Sequence, residues 1–456
     1  MLTFTGSESS EVLAAQVIFW ILLPFVLFAA PRWAVLAWLI MGNLDATGPS
    51  ETAAAGVGSI NAIKGVVLPL YLWWRLRHVP GEVSGMLPAR LWLMLTGYAA
   101  LAGLWSPFPL AATKLVANMI GMMLSVVVME KAVRRGLLSV GMLTALIVAS
   151  LSLGILQTYY YGGTSYGFDG ADQPLRFSSF IAAQQYGAFL VAFLAVVLWN
   201  AEFHPIAKLA LSLTLCAALV LNGSRTWFFG AVVVVAVYGW LSSRRVVQSI
   251  ALAASTVVLA VLLVINLTRF DVDVFGDTSS RILATLSAVF TGQDTSNNAG
   301  LRNLSFRFAI YSGVLDATRA SDAGQVLLGH GTSSGGNIAL QVFPTRYRSD
   351  RLDANRTIHN EWLRAFYEWG VVGASLWVGV FGSILGGLVS RYRKAPSRMS
   401  ASAALSFLPA FLSALLTENI VAGAGNAVTM SFAIMIALLW LPTAGISSSG
   451  ASRVHA

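Results

Sequence analysis

Long apolar runs separated by short polar links recur along the chain. A run of about 18 or more apolar residues is long enough to cross a bilayer as a helix. The runs are continuous and do not alternate with period two, so they predict helices and exclude transmembrane β-strands. Hydrophobic residues make up 56% of the 456 residues and charged residues only 11%, which leaves too little polar surface for a soluble protein. We therefore expect an all-α polytopic membrane protein.

The number of membrane-spanning helices is expected to be twelve or thirteen. The choice depends on the run at 33–45, which is too short to cross the bilayer alone and fits a tilted or partial span. The first run has no basic residue before it and no small-residue cleavage site, so we interpret it as a span and not as a removable signal peptide. The runs lie at 12–30, 33–45, 59–75, 88–105, 110–130, 137–157, 182–200, 205–221, 225–242, 247–267, 361–387, 403–421 and 427–441.

The formal charge of +9 raises the question of a nucleic-acid partner, but the basic residues cluster in every second polar link. This alternation is the positive-inside pattern of membrane proteins, so we assign the charge to topology and expect no nucleic-acid partner. The basic clusters are Arg75 and Arg77; Lys131, Arg134 and Arg135; Arg244 and Arg245; and Arg391, Arg393, Lys394 and Arg398. With these links and the C-terminus in the cytoplasm, the links that face outward are 46–58, 106–109, 158–181, 222–224 and 268–358.

The outward segment 268–358 is the one long soluble-looking part of the sequence, with nine arginines, eight aspartates and no lysine. A loop of this length is usually functional or a small domain. Helical spacing of apolar residues in LSFRFAIYSGVLDA predicts a helix, and VLLGHGTSSGGN predicts an apolar turn followed by a Gly-rich loop. Because no repeat or long linker is present, we treat residues 1–456 as one integral membrane domain in which 268–358 forms a partly helical cap.

Charged residues at membrane depth are costly and are therefore candidates for function. Arg225 lies at the outward start of a span, and Glu418 lies near an outward end. Each has a structural alternative: Arg225 as an interfacial anchor, and Glu418 as a helix-end acid or the partner of a nearby arginine. The other charged residues in or close to spans are Lys64, Lys114, Arg176 and Glu368.

Arg302 and Arg307 add two cations in the outward loop. Arginine suits phosphate recognition better than lysine does, because its planar guanidinium presents paired donors and stays protonated. Each arginine taken alone fits a structural role. The set as a whole favours a pocket for a diphosphate headgroup at the membrane surface.

His359 lies just outside a span, beside the Arg-rich loop. A neutral imidazole near pH 7 can accept a proton from a sugar hydroxyl, which makes His359 a candidate general base. The alternative is a helix cap or an interfacial residue. His330, in LLGHGTS, fits a role in shaping its own Gly-rich turn.

Metal and cofactor motifs are weak in this sequence. Asp271 and Asp273, in RFDVDVF, have a spacing that can chelate a divalent ion, but a solvated strand or turn explains them as well. The single cysteine, Cys216, lies in an apolar run, which excludes a disulfide framework and a Cys metal site. HExxH, GxxxxGK[ST] and GxGxxG motifs are missing, so ATP-driven transport and nucleotide chemistry have no support. We expect no metal and no cofactor.

The stretch TIHNEWLRAFYEWGVVGASLW resembles the signature of the O-antigen ligase and polymerase superfamily, in which His-Asn is followed by Leu and then by Glu-x-Gly-x-x-Gly. The matching positions are His359, Asn360, Leu363, Glu368, Gly370 and Gly373. LLGHGTSS, SFRFAIYSGVL and NGSRTWFFGAV are similar to the family's LLG-x-G turn, loop arginine and Ser-Arg element. LRFSSFIAAQQYGAFL resembles a further segment, although Gln184 and Gln185 stand where Pro-Asn is usual. The order of motifs agrees over roughly residues 60–440.

This resemblance implies a bacterial inner-membrane glycosyltransferase with a periplasmic active site, similar to the inverting, metal-independent C-type glycosyltransferases. Its donor would be a glycan on undecaprenyl diphosphate. The acceptor would be a sugar hydroxyl of lipid A-core in a ligase, or of a growing lipid-linked chain in a polymerase. His359 would then be the general base, and Glu418 a supporting acid. The residues that would bind the diphosphate are Arg225, Arg307, Arg176 and Arg302.

Two alternatives stay open at the level of sequence. The single dominant late loop favours a ligase slightly over a polymerase, whereas the Gly- and Tyr-rich link at 158–181 is typical of many polymerases. A lipid-linked oligosaccharide flippase or another transporter is the alternative of a different class. Transporters carry broken helices and ionisable residues near the midplane in related halves. Here the charged residues lie at the outer ends of spans and no repeat is present, which disfavours transport.

Overall fold

The computed structural model describes residues 7–44, 58–82, 85–161, 177–181, 183–199, 203–242, 299–342, 358–394, 399–418, 420–421 and 426–440. Within these ranges the regular structure is helical, apart from one isolated bridge between Leu44 and Phe180. The expectation of an all-α polytopic membrane protein is therefore confirmed.

The described helices begin and end as follows: α1 (Ser7–Phe28), α2 (Pro31–Met41), α3 (Gly58–Ala62), α4 (Leu68–Arg75), α5 (Leu87–Ala102), α6 (Pro109–Arg134), α7 (Val140–Tyr161), α8 (Ala183–Trp199), α9 (Pro205–Asn222), α10 (Arg225–Ser242), α11 (Ala299–Arg319), α12 (Ala323–Leu328), α13 (Gly335–Val342), α14 (Glu361–Lys394), α15 (Met399–Ala414) and α16 (Asn426–Trp440). A π-helical turn, Ile63–Val67, joins α3 to α4. Proline is the first residue of α2, α6 and α9, where its fixed backbone angle suits helix entry and its missing N–H costs nothing.

Six helical segments within the described ranges are long and apolar enough to cross a membrane: Ser10–Phe28, Leu87–Trp105, Pro109–Arg134, Gly141–Tyr161, Pro205–Asn222 and Glu361–Lys394. Shorter apolar helices include Pro31–Met41, Ala183–Trp199, Thr226–Ser242 and Ala401–Ala414. The run at 33–45 corresponds to α2, which has 11 residues and is too short to cross alone. The run at 247–267 lies outside the described residues, so the count of twelve or thirteen spans stays a prediction.

Helix α8 lies at the centre of the bundle, and every residue from Tyr186 to Val197 is buried. It packs against α9, α10, α15 and α16, as expected of a helix that is apolar on all sides. α10 and α15 also pack against each other. The start of α10, at Arg225, consequently lies beside the end of α15.

The links predicted to face outward meet at one end of the bundle, which we call the outer-link end. Ser106 Oγ donates a hydrogen bond to the carbonyl of Thr332 at 2.5 Å, which joins the link 106–109 to the large loop. The bridge described above joins the neighbourhoods of two further outward links. At the opposite end, Arg134 Nη2 lies 3.1 Å from Glu82 Oε2, beside the basic links. These contacts therefore lie between links that the charge pattern assigns to the same side of the membrane.

Helix α14 changes direction at Gly370, where φ is 60° and ψ is −165°. The Gly-rich turn after α12 docks at this break, because the N–H groups of His330 and Gly331 donate to the carbonyls of Tyr367 and Glu368, each at 3.0 Å. A Cβ atom on Gly370 would overlap the carbonyl of Leu327. The glycine of the Glu-x-Gly motif thus serves a close approach of two backbones.

We expect Gly370→Ala to destabilise the protein by about 1–3 kcal/mol or more, because alanine is strained at this positive φ and its methyl group meets backbone. Gly382→Ala is the matched control in the same helix, where a Cβ has open space and the backbone is helical. Thermal unfolding in detergent measures both variants. Equal unfolding temperatures for Gly370→Ala and the wild type would contradict the packing role.

Candidate active site

His359 lies in the turn that precedes α14. Asn360, not His359, caps this helix: its Oδ1 accepts from the N–H of Leu363, and its carbonyl accepts from the N–H of Arg364, both at 2.9 Å. The backbone of His359 is left-handed, with φ of 53°. Residues with a side chain adopt this conformation at an energetic cost, and such residues concentrate at functional sites.

The side chain of His359 is partly buried. Burial, together with the positive charge of Arg307, lowers the pKa of His359 to about 3. The imidazole is therefore neutral at physiological pH, which is the form able to accept a proton.

Arg307 lies on α11 and reaches the turn that follows α15. Its Nη1 donates to the carbonyl of Thr417, and its Nη2 lies 3.5 Å from Glu418 Oε1. Only 15% of the Arg307 side chain is exposed, and its buried Nε has no hydrogen-bond partner in the described part of the chain. Arg307 is thus held through both Nη atoms of its guanidinium.

Glu418 is a partner of Arg307, the structural alternative that its sequence position left open. Its Oε1 also accepts from Thr226 Oγ1 at 3.2 Å, and the hydroxyls of Thr226 and Thr417 are 3.0 Å apart. Thr226 directly follows Arg225, the first residue of α10. These contacts bring the start of α10, the turn at 415–418 and helix α11 together.

The structure describes no side chain for the remaining predicted arginines. Arg302 lies on α11, ahead of Arg307. Arg176 lies outside the described residues, as do Asp271 and Asp273. The residue after Arg176 is Phe177, whose N–H donates to the carbonyl of Leu221 at 3.1 Å. The carbonyl of Phe177 accepts from Asn222 Nδ2 at 2.8 Å, close to the turn that leads into α10.

A buried ion cluster, formed by Glu361, Arg364 and Glu368, lies directly behind His359. Each of the three residues is at most 1% exposed. Arg364 Nε donates to Glu361 Oε2 at 2.6 Å, and Arg364 Nη1 lies 3.4 Å from Glu368 Oε2. All three side chains have partners inside the protein, so they support the site and do not face a substrate.

The ion cluster binds backbone from two other segments. Glu368 accepts from the N–H groups of Ser333 at 2.8 Å and Gly335 at 3.3 Å, in the Gly-rich loop. Glu361 accepts from the N–H of Val421 at 2.8 Å through its side chain, and its own N–H donates to the carbonyl of Leu415 at 2.7 Å. Sequence reasoning missed Glu361 and the role of Arg364. The available signal was opposite charge at helical i, i+3 and i+4 spacing at the start of an apolar helix.

Three other residues singled out in the sequence lie apart from this arrangement. His330 shapes its turn: its Nε2 lies 2.9 Å from Ser321 Oγ, and its ring stacks on Tyr367 with 4.2 Å between centroids. Lys64 is fully buried in the π-helical turn, where its Nζ donates to the carbonyl of Leu44. Lys114 is exposed.

The fold and this site define a polytopic helical membrane protein with a histidine, an arginine and a carboxylate gathered at the outer-link end of its bundle. Residues 209–378 match the family model described as O-Antigen ligase, which supports the resemblance of this part of the chain to the O-antigen ligase and polymerase superfamily. The match runs from α9 into α14 and includes Arg225, Arg302, Arg307 and His359. None of the curated proteins compared with the chain matches it.

The low pKa of His359 predicts how stability depends on pH. The unfolded chain takes up a proton near pH 6.5, whereas the folded chain keeps His359 neutral until about pH 3. The folded state should therefore lose stability as the pH falls below 6.5, by up to about 1.4 kcal/mol per pH unit. Thermal unfolding of the wild type and of His359→Asn, which also tolerates a left-handed backbone, should diverge between pH 7.5 and 5.0. Parallel curves would contradict the buried neutral state.

Proposed function

We propose that the protein is a bacterial inner-membrane glycosyltransferase of the O-antigen ligase and polymerase type, with its active site at the periplasmic face. It transfers a glycan from undecaprenyl diphosphate to a sugar hydroxyl, with inversion and without a metal ion. The observation that supports this proposal is that α11 contacts both His359, through Tyr311, and the turn 415–418, through Arg307. Arg307 and His359 both lie inside the segment that matches the family model.

His359 is the general base in this proposal. The neutral imidazole takes the proton of the acceptor hydroxyl as that oxygen forms a bond to the anomeric carbon of the glycan. The bond from that carbon to the diphosphate oxygen breaks, and undecaprenyl diphosphate leaves with the electron pair. The attack comes from the face opposite the leaving group, so the configuration inverts.

Arg307 stabilises the leaving diphosphate, together with Arg225 and with Arg302 and Arg176. The contacts of Arg307 with Thr417 and Glu418 support this role, because a fixed guanidinium needs no reorganisation when charge develops on the phosphate. Glu418 acts by holding Arg307 and not by transferring a proton, which agrees with its contacts to Arg307 and Thr226.

The outer-link end of the bundle suits a lipid-linked donor. The isoprenoid tail needs the apolar surface of the membrane helices, and the diphosphate needs the polar interface at their ends. The described part of the large loop packs at this end through a small apolar core that it shares with α14, formed by Ile310, Val314, Ile338, Ile358 and Tyr367. This packing supports the proposal that the loop forms a cap over the bound glycan.

We expect His359→Ala to lower glycan transfer by roughly a hundred- to ten-thousandfold, since a general base contributes this much. The measurement is complementation of a deletion strain, with the surface polysaccharide and the lipid-linked pool both analysed. His204→Ala is the control: this histidine also precedes a helix, but it is exposed and lies at the opposite end of the bundle. Normal surface polysaccharide with His359→Ala at wild-type protein level would refute the base assignment.

The same strain distinguishes the alternative activities. Polymer that accumulates on the lipid carrier indicates a ligase, and single repeat units on the carrier indicate a polymerase. Lipid-linked glycan confined to the cytoplasmic leaflet indicates a flippase and would overturn the transferase proposal.

Arg307→Lys should lower transfer by roughly a hundredfold although the positive charge is kept, because lysine lacks the paired donors that hold the turn and the phosphate together. Arg225→Lys should behave similarly. Arg319→Lys is the control on the same helix, since this side chain is 77% exposed and pairs only with Asp316 in the described part of the chain. Wild-type transfer by both Arg307→Lys and Arg225→Lys would assign these arginines a structural role.

A further inference from the structure

Tyr311 lies one helical turn after Arg307 on α11. Its hydroxyl donates to the carbonyl of His359 at 2.7 Å and is 3.2 Å from the carbonyl of Leu416. Arg307 reaches the next residue of the same turn, Thr417. Two neighbouring side chains of α11 therefore reach the turn 415–418, and Tyr311 also reaches His359.

The left-handed backbone of His359 needs an external restraint, because a residue with a side chain leaves this conformation readily when nothing holds it. The residues on either side are held: Ile358 is buried in the small apolar core, and the N–H of Glu361 is bonded to Leu415. At His359 itself, the carbonyl is held by Tyr311. Burial raises the pKa of Tyr311 to about 12, so its hydroxyl keeps the proton that it donates.

We propose that Tyr311 is a positioning residue for His359, whose hydroxyl fixes the histidine backbone in place relative to Arg307. This inference rests on the proposed function, in which His359 is the base and Arg307 binds the diphosphate. Tyr311 does not touch the reacting atoms. It sets where the imidazole stands when the acceptor hydroxyl arrives.

Tyr311→Phe removes the hydroxyl and keeps the aromatic ring, which packs edge to face on Phe308 with centroids 6.1 Å apart. Tyr71→Phe is the matched control. The Tyr71 hydroxyl also donates to a carbonyl of another helix, that of Leu27 at 2.6 Å, but at the opposite end of the bundle. Each variant thus loses one hydroxyl that joins two segments.

The assay uses membranes that carry each variant and the lipid-linked glycan extracted from a deletion strain as the donor. We expect Tyr311→Phe to lower kcat roughly ten- to a hundredfold with an unchanged KM for the donor, because a misplaced base slows the reaction without weakening diphosphate binding. Tyr71→Phe should leave both constants at wild-type values. The unfolding temperatures of the two variants should fall by similar amounts.

The pH profile of activity distinguishes a positioning role of Tyr311 from a general loss of stability. The groups of α11 that act on His359 are the charge of Arg307 and the hydroxyl of Tyr311; Glu418 pairs with Arg307, and Glu361 pairs with Arg364 two residues after the histidine. A displaced imidazole is less buried and farther from Arg307. The pKa that defines the acid limb of the kcat/KM profile should therefore rise towards 6.5 in Tyr311→Phe, whereas the wild-type profile should have no acid limb near pH 6.5.

Wild-type kcat in Tyr311→Phe would overturn the inference. So would an unmoved acid limb, or a loss of folding far beyond that of Tyr71→Phe, which would indicate a merely structural hydroxyl. His359→Ala, measured in the same membranes, tests the proposed function separately. If that variant transfers glycan normally, the base assignment fails whatever Tyr311→Phe does.

Discussion

Arg364 lies between two carboxylates at the start of α14, and none of the three side chains has appreciable contact with solvent. Charges buried in this way need a full set of partners, because removing one partner of a buried ion pair costs about 3–5 kcal/mol. The partners here include backbone N–H groups from the Gly-rich loop and from Val421. The ion cluster is therefore satisfied only when the loop, the start of α14 and the segment 415–421 are all in place.

This requirement fixes the surroundings of His359. The histidine lies two residues before Glu361, and the turn that receives Arg307 lies between Leu415 and Val421, both of which are bonded to Glu361. The ion cluster therefore sets the frame on which α11 docks. Arg307 and Glu418 then pair at the surface of that frame, with more exposure than the cluster behind it. A buried support that holds a partly exposed charged group in place suits a site that binds an anion.

The sequence predicted the helical membrane fold, because long apolar runs have few other stable structures in a bilayer. It also grouped His359 with Arg307 at one end of the bundle, through the positive-inside pattern and a family signature. It did not predict what holds them. Hydrogen bonds from Tyr311 to a carbonyl, and from the N–H groups of Ser333 and Gly335 to Glu368, join positions 33 to 48 residues apart, and the backbone partners in these bonds carry no sequence signal. The left-handed backbone of His359 was equally hidden, since glycine and asparagine are the residues that normally indicate it.

The electrostatics of the site make the basicity of His359 depend on what Arg307 binds. In the free protein, burial and the charge of Arg307 both oppose protonation of the imidazole. Under the proposed function, a bound diphosphate brings negative charge to Arg307 and offsets that opposition, because opposite charges nearby favour the protonated histidine. His359 then becomes a stronger base when the donor is in place than when it is absent. The coupling needs no moving part: it follows from the closeness of the neutral His359 imidazole to the Arg307 guanidinium of α11, whose charge already lowers the pKa of the histidine in the free protein.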